Sequence, residues 1–167
     1  MLVCFAPIAD LNAQTLILGS FPGIASLTAV EYYRHPRNAF WPIMAEAFGS
    51  AFFAEYDKRC DYLKDNKIAL WDVLARCQRK GSLDCAINQR TAMCNNFAKF
   101  LEQHRLIQRI LFNGTAARQL FDRFAMPMLA KTPVPQLLTM PSTSPAFAAM
   151  RLEEKLRRWK SELCKIR

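Results

Sequence analysis

The decapeptide QTLILGSFPG, residues 14–23, decides how this chain folds. Its apolar run from Thr15 to Leu18 is short and uninterrupted, and a glycine-rich turn ends it. Continuous apolar runs of this length are typical of strands covered on both faces, as in parallel sheets. The stretch therefore predicts a buried strand that runs into a loop, where Gly19 and Gly23 let backbone N–H groups approach a ligand closely. An ordinary strand-to-loop turn would use the same two glycines.

Three later stretches repeat this pattern of a short apolar run sealed by turn residues. They are KIALWDV (67–73), LIQRILFNG (106–114) and PQLLTMPSTSP (135–145). Apolar residues recur three or four positions apart between and after these runs, as on amphipathic helices; these stretches cover residues 40–48, 97–101, 117–124 and 149–163. Strands alternating with helices predict an α/β fold whose parallel sheet is covered on both faces, built as a single domain, 1–167.

The polar ends of the four predicted strands are expected to meet at one edge of the sheet, where ligands of open α/β sheets bind. The strand exits GSFPG, WD, NG and PSTSP are all polar or glycine-rich. The stretch YYRHPRNAFWPIM, residues 32–44, follows the first exit and combines paired aromatic rings, cations and an amide. It is expected on the same rim, either as a packed loop or as the wall of a pocket.

The composition excludes several classes of protein and favours a polyanionic partner. The chain has 23 Lys and Arg against 14 Asp and Glu, a net charge of +9. No apolar run reaches the roughly 18 residues of a membrane span, and the N-terminus lacks the basic region of a signal peptide. The six cysteines form no C-x-x-C pair, so we expect reduced cysteines in a cytoplasmic protein without a zinc or iron–sulfur site.

Motifs for cofactors and metals are missing from the sequence. The G-x-x-x-G of GSFPG is not the dinucleotide fingerprint and no G-K-[ST] follows it, which excludes an enzyme with a nucleotide cofactor. There is no H-E-x-x-H and no Ser-His-Asp order. We therefore expect neither a metal nor a cofactor.

Three side chains near the strand exits each allow a structural and a functional interpretation. Asn38 either caps the next helix or supplies a hydrogen-bonding amide to a pocket. The cap is weakened because Pro42 would then fall at the fourth helical position and remove the first helical bond. Asp72 either caps a helix that begins at Val73 or is a functional carboxylate at the end of an apolar strand. Asn113 is either a turn residue or a pocket residue.

The loop PSTSP and the paired tyrosines are equally open to two interpretations. Ser142, Thr143 and Ser144 offer hydroxyls of the kind that contact DNA phosphates. Ser144 could equally be the N-cap of the last helix with Pro145 as its first residue, and both interpretations can hold because a helix N-terminus favours phosphate. Tyr33 is either a core residue or a stacking platform.

Five motifs, taken in order, make the chain resemble the uracil-DNA glycosylase superfamily. They are GSFPG, S-L-x-x-x-E-Y-Y-x-H-P-R-N-x-F-W, A-L-W-D-V, F-N-G-x-A-A and P-S-T-S-P-A, and they run from the first predicted strand to the last helix. The branch with the greatest similarity is that of the hypoxanthine-DNA (DNA-deoxyinosine) glycosylases, family six. The resemblance implies a three-layer α/β/α fold with a central four-stranded parallel sheet, and an enzyme that flips its target nucleotide out of the duplex.

The resemblance also implies roles for individual residues. Asn38 matches an asparagine that is catalytic in the hypoxanthine branch, Tyr33 matches a stacking aromatic of mismatch-specific relatives, and Asp72 lies at a base-reading position. The implied base-binding residues are Phe21, Tyr33, Asp72 and Asn113. The implied DNA-binding residues are Gly19, Ser20, Gly23, Arg37, Ser142, Thr143 and Ser144.

Two departures from related branches favour hypoxanthine over uracil. The mismatch-specific branch carries a catalytic asparagine where this chain has Phe21. The classical uracil branch carries an aspartate in the same loop and a histidine where this chain has Met140. A uracil or thymine mismatch glycosylase, and a DNA-damage binding module without chemistry, remain the alternatives.

The implied chemistry needs few groups. An ionised Asp72 could accept the N1–H of hypoxanthine, a proton that adenine lacks, and Asn38 could donate to the base or position water. No lysine stands in the motifs as a Schiff-base nucleophile, so base release without strand cleavage is expected. The expected partner is double-stranded DNA with a deaminated base, with single-stranded DNA left open, bound by a monomer that has no membrane contact.

Overall fold

The computed structural model describes residues 1–49, 54–130 and 133–166, and parallel strands form its centre. The strands are β1 (Leu2–Val3), β2 (Thr15–Gly19), β3 (Ile68–Asp72), β4 (Leu74–Arg79), β5 (Ile87–Cys94), β6 (Arg109–Asn113) and β7 (Gln136–Met140). Strands β3, β2, β6 and β7 pair in that order as a four-stranded parallel sheet. The four predicted strands are thus confirmed.

Helices cover both faces of this sheet. They are α1 (Ile24–Ala29), α2 (Phe40–Phe48), α3 (Tyr56–Asp65), α4 (Phe97–Gln103), α5 (Thr115–Leu120) and α6 (Leu152–Leu163). A π-helical turn at Phe121–Ala125 extends α5, and short 3₁₀ turns lie at Asp84–Ala86, Met126–Leu129 and Cys164–Ile166. In the described ranges, no helix combines the length and the hydropathy that crossing a membrane requires.

Alternate residues of β2 contribute to two separate cores, because successive side chains of a strand point to opposite faces. Leu16 and Leu18 pack in a cluster with Phe97 of α4. Ile17 packs in a second cluster with Phe40 of α2 and Trp159 of α6. These two cores on opposite faces confirm the predicted α/β/α layers.

A second sheet, which the sequence did not predict, packs beside the first. It is antiparallel with the order β1–β4–β5. Strand β4 starts two residues after β3 ends, so the interpretation of Asp72 as the cap of a helix from Val73 is wrong. Most positions of β5 are at least partly exposed, and a polar strand of this kind has no apolar run by which it could be recognised.

The predicted start of the last helix is wrong, and the second helix begins one residue later than Asn38 as its N-cap would require. Helix α6 begins at Leu152 with Arg151 as its N-cap, and the Ser144 hydroxyl instead accepts a hydrogen bond from the N–H of Ala146 within a turn. Helix α2 begins at Phe40, so Pro42 is its third residue, where an N–H would have no helical partner. The proline therefore costs α2 no hydrogen bond and does not weaken a capping role for Asn38.

Gly114 joins the exits of β6 and β7, and its replacement should test how tightly they meet. Its φ is +100°, its N–H donates to the Met140 carbonyl at 3.0 Å, and an added Cβ would lie 2.9 Å from Cβ of Ser142. We expect Gly114→Ala to lower the free energy of unfolding in urea by about 2–4 kcal/mol, from backbone strain and the clash together. Gly49 has φ +71°, but a Cβ added there would have no described atom within 4 Å. Gly49→Ala should therefore lower the free energy of unfolding by only about 1 kcal/mol. Equal losses would contradict a close approach at Gly114.

Candidate functional site

A cavity of about 430 Å³ opens at the carboxyl ends of the parallel strands, where the sequence predicted a site. We refer to it as the main cavity. Every site residue predicted from the sequence lines it except Thr143: Gly19, Ser20, Phe21, Gly23, Tyr33, Arg37, Asn38, Asp72, Asn113, Ser142 and Ser144. The four strand exits and the segment after the first exit therefore converge on one pocket.

Asp72 is a buried carboxylate of the main cavity. Its side chain is 3% exposed, and an added Cβ on Gly19 would lie only 2.2 Å from its Oδ1. Only glycine at position 19 leaves room for this carboxylate. Burial raises the pKa of Asp72 to about 7, the Asp84 carboxylate raises it too, and the thiol of Cys4, which donates to Oδ2 at 3.6 Å, opposes the rise. Asp72 is therefore poised between its neutral and ionised forms near neutral pH.

Tyr33 is held in an unusual backbone conformation beside the same glycine. Its φ is +54°, in the left-handed region that residues other than glycine rarely adopt. Its ring stacks on Phe40 with centroids 4.1 Å apart, and the residue lines the main cavity. Its hydroxyl is buried without a hydrogen bond of normal geometry among the described residues. Burial followed by the charge of Asp72 raises its pKa, and the nearby side chain of Asn113 opposes the rise. The hydroxyl is thus an unused donor next to a buried acceptor.

Asn38 uses one half of its amide for structure and leaves the other half unused. Its Oδ1 accepts the N–H of Phe40 at 2.9 Å, which helps to begin α2. Its Nδ2 makes no hydrogen bond within the part of the chain that the structure describes, and the residue lines the main cavity. Asn38 therefore precedes the N-cap, Ala39, and supports the start of α2 through its oxygen, while its nitrogen is available as a pocket donor.

Asn113 and Thr143 form a two-point clamp between two strand exits. Asn113 Nδ2 donates to Thr143 Oγ1 and Asn113 Oδ1 accepts from the N–H of Thr143, both at 2.8 Å. The Thr143 carbonyl accepts the N–H of Ala39 at 3.0 Å. Thr143 is 1% exposed and its hydroxyl accepts from Asn113, so it supports the loop, and its predicted DNA contact stays a prediction. Asn113 keeps only part of its hydrogen-bonding capacity for a base.

Phe21 lies in the core although it borders the main cavity. Its side chain is 5% exposed, and the guanidinium of Arg79 covers its ring at 5.2 Å from the centroid. Arg79 also donates to the carbonyls of Phe21 and Pro22. The ring is largely enclosed in this way, so Tyr33 is the stronger stacking candidate, and a base contact of Phe21 stays a prediction.

The turn between β4 and β5 closes one rim of the main cavity, which the sequence analysis missed. Asp84 accepts a hydrogen bond from the Ser20 hydroxyl at 2.5 Å, and the Ser82 hydroxyl accepts the N–H of Ile24 at 3.0 Å. Ser82, Leu83 and Asp84 line the cavity. The turn lies in the polar stretch RKGSLDC (79–85), which contains no recognisable motif, so no local signal could have identified it.

Across residues 1–49, 54–130 and 133–166, no three His, Cys, Asp or Glu side chains are grouped so that they could hold a metal ion.

Comparisons with known proteins agree on one family. Residues 6–165 match the model of the uracil DNA glycosylase superfamily. Over 111 residues, 66% of this chain and 69% of the relative, the chain is 37% identical to a hypoxanthine DNA glycosylase of Methanosarcina barkeri. It is 36% identical over 114 residues, 68% of this chain and 71% of the relative, to a hypoxanthine DNA glycosylase of Methanosarcina acetivorans.

A solved structure shares the fold over almost the whole chain. It is the solution NMR structure of a Methanosarcina acetivorans protein whose assignment as a uracil DNA glycosylase is provisional. The TM-score is 0.82 at 29% identity, with 98% of this chain and 97% of that chain covered.

The raised pKa of Asp72 predicts how stability depends on pH. The carboxyl titrates near 3.8 when unfolded and near 7 when folded, so its contribution to stability is complete below pH 3.8 and is lost as pH rises to 7. We expect Asp72→Asn to raise the free energy of unfolding at pH 8, by on the order of 2–4 kcal/mol, and by less at pH 5. Urea unfolding at both values measures this. The exposed control Asp65→Asn should show no such difference; a pH-independent effect of Asp72→Asn would refute the raised pKa.

Proposed function

The chain belongs to the uracil DNA glycosylase superfamily and is a DNA glycosylase for deaminated bases, and we propose that its base is hypoxanthine. The enzyme would extrude deoxyinosine from duplex DNA, hydrolyse the N-glycosidic bond and leave an abasic site without cutting the strand. The relatives with the name hypoxanthine DNA glycosylase support this base.

The observation that carries the proposal is the pairing of an unused donor with a buried acceptor. The Tyr33 hydroxyl has no partner among the described residues, and Asp72 Oδ1 lies beside it next to Gly19. Hypoxanthine presents O6, an acceptor, next to N1–H, a donor. A donor and an acceptor in the pocket match this edge. Adenine presents the reverse order, an N6 amino donor next to the N1 acceptor. Its N1 lone pair would face the ionised carboxylate of Asp72 and leave this buried acceptor unpaired, at about 1–3 kcal/mol.

Guanine shares the O6 and N1–H edge and must be rejected in another way. Its 2-amino group is an additional donor that hypoxanthine lacks, and its pair with cytosine makes extrusion more costly than extrusion of a mispaired base. Uracil presents N3–H beside a carbonyl oxygen, so the same two groups suit it chemically. Uracil excision is therefore the second candidate function.

Extrusion of the nucleotide costs a few kcal/mol, which contacts in the main cavity must offset. Stacking on an aromatic ring contributes about 1–3 kcal/mol per base. Tyr33 supplies the ring, and its stacking on Phe40 together with the rare backbone conformation fixes that ring before the base arrives. A wall that is already in place loses little entropy on binding.

Bond cleavage needs stabilisation of the departing base and of the cationic sugar. The free Nδ2 of Asn38 can donate to the base as negative charge develops on it, or orient the attacking water. The ionised form of Asp72 is the stronger acceptor for N1–H, and a pKa of about 7 makes this form prevalent at neutral to alkaline pH. No lysine lines the main cavity in the described ranges, which supports hydrolysis without a Schiff base.

The net charge of +9 suits double-stranded DNA as the substrate form. Action on single-stranded DNA, a monomeric state and a cytoplasmic location remain parts of the proposal that experiments must address.

Release of free base from labelled duplexes tests the proposal directly. Duplexes carrying hypoxanthine, xanthine, uracil or a mispaired thymine would be compared in single-turnover reactions. We expect hypoxanthine to be released fastest, with strand breaks only after alkali. Faster release of uracil would favour the second candidate. Tight binding without release of any base would make the protein a binding module.

Substitution of Asn38 separates the role of its side-chain oxygen from that of its side-chain nitrogen. Asn38→Asp keeps an oxygen acceptor for the N–H of Phe40 but lacks the amide donor. We expect it to keep near-normal stability in urea while single-turnover release from an inosine duplex falls by about 10²–10³, the usual cost of one preorganised donor. Asn38→Ala should lose the same activity and about 0.5–2 kcal/mol of stability. Near-normal release by Asn38→Asp would reduce Asn38 to a cap.

Substitution of Tyr33 by phenylalanine tests the unused donor. Tyr33→Phe retains the ring and removes a buried hydroxyl that has no partner. We therefore expect stability in urea to be unchanged or slightly higher, while release of hypoxanthine slows by about tenfold, equivalent to one lost hydrogen bond. Unchanged release kinetics would mean that the hydroxyl does not contact the base.

A further inference from the structure

A second, smaller cavity of about 280 Å³ adjoins the main cavity. We call it the side cavity. Arg37, Asn38, Ser144 and Pro145 line both cavities, so a single wall of side chains separates them. The first residue of α6, Leu152, and Lys155 one turn later complete the far side.

The two cavities differ in charge. The carboxylates of Asp72 and Asp84 line the main cavity, and Arg37 borders it only at the shared wall. The side cavity is lined by the cations of Arg37 and Lys155, and no Asp or Glu lines it among the described residues. A neutral base suits the first of these environments, and an anion suits the second.

Lys155 is a buried cation without a carboxylate partner. It is 6% exposed, and its Nζ donates to the carbonyls of Phe147 at 2.8 Å and Ser144 at 3.4 Å. It lies 5.1 Å from the centre of the Phe147 ring. No ion pair involves it in the described residues, and burial lowers its pKa. An ammonium has three donors, so one remains for a ligand, and its charge is not balanced locally.

Arg37 adds a second cation that is not committed elsewhere. Its side chain is exposed, and within the described part of the chain its guanidinium forms neither a hydrogen bond nor an ion pair. It lies next to Asn38, at the boundary of the two cavities.

We propose that the side cavity binds one phosphate of the DNA backbone, with Arg37 and Lys155 as its cationic ligands. The proposal rests on the DNA substrate but not on which base is released. A nucleotide whose base occupies the main cavity carries its flanking phosphates to the cavity wall, where this site lies. The first turn of α6 also favours an anion, and the carboxylates of that turn, Glu153 and Glu154, do not line the side cavity.

A bound phosphate would act on the loop as well as on affinity. It supplies the counter-charge that Lys155 lacks, and Lys155 holds the carbonyls at both ends of the segment 144–147. Backbone binding and the shape of the loop beside the base are thereby coupled through one ammonium group.

Neutral linkages in the DNA test the site through binding alone. The probe is a duplex with a tetrahydrofuran abasic-site analogue, which cannot be cleaved, in which single phosphates near the lesion are replaced by uncharged methylphosphonates. We expect one replacement to weaken binding of the unmodified protein about tenfold. Arg37→Gln should weaken binding of natural DNA to a similar extent and should be insensitive to that replacement.

The salt dependence provides the second measurement. Arg37→Gln should lower the slope of log K against log salt by about 0.9, the value for one phosphate contact. Arg105→Gln is the matched control, an exposed arginine before β6 and hence at the opposite end of the sheet, and should change neither slope nor sensitivity to the neutral linkage.

Lys155 variants decide whether the buried ammonium takes part. Lys155→Met should abolish the effect of the same linkage, and Lys155→Arg should restore it, with urea unfolding confirming that both proteins fold. The phosphate site is refuted if the Arg37 and Lys155 substitutions weaken binding by the same factor on natural DNA and on every duplex with a neutral linkage. If Lys155→Met weakens binding without altering the salt slope or the response to any linkage, Lys155 only supports the loop and the proposal for it fails. Neither result depends on the base that the enzyme releases.

Discussion

The amide of Asn113 is the contact on which the geometry of the pocket depends. Its two hydrogen bonds to Thr143 fix the last loop to the exit of β6 at 2.8 Å, and the Thr143 carbonyl receives the N–H of Ala39. Three chain segments that are remote in sequence are thereby held in register at one point. Asn38, one residue before Ala39, lines the main cavity beside this support. Buried hydrogen bonds of this kind are costly to break, because each would leave an unpaired polar group.

Several features of the pocket lower the stability of the fold. A tyrosine adopts φ +54°, its hydroxyl is buried without a partner in the described structure, and a carboxyl is buried beside it. Each feature opposes folding by on the order of 1–3 kcal/mol. The central strands, which are buried on both faces between two apolar clusters, can carry this cost. The strained groups are also the ones left with unsatisfied hydrogen-bonding capacity.

The sequence predicted the central sheet because each of its strands is a short apolar run ending in polar or glycine residues, and it predicted the site because parallel strands bring those ends together. It could not separate Thr143 from Ser142 and Ser144, since only the clamp to Asn113 decides which hydroxyl faces inward. The closing turn between β4 and β5 was also beyond reach. Its contacts join Arg79 to the first loop across more than fifty residues, and no local pattern encodes such a contact.

The protonation state of Asp72 links the chemistry of the base to the stability of the fold. With a pKa of about 7 the free protein contains both forms near neutral pH. The ionised form is the better acceptor for the N1–H of a bound base, so base binding favours ionisation and displaces a proton from the pocket. Adenine has no N1 proton, so its N1 lone pair would face the negative charge of the ionised form. Burial of the carboxyl therefore serves discrimination, because a base that cannot donate to the ionised form leaves a buried charge unpaired.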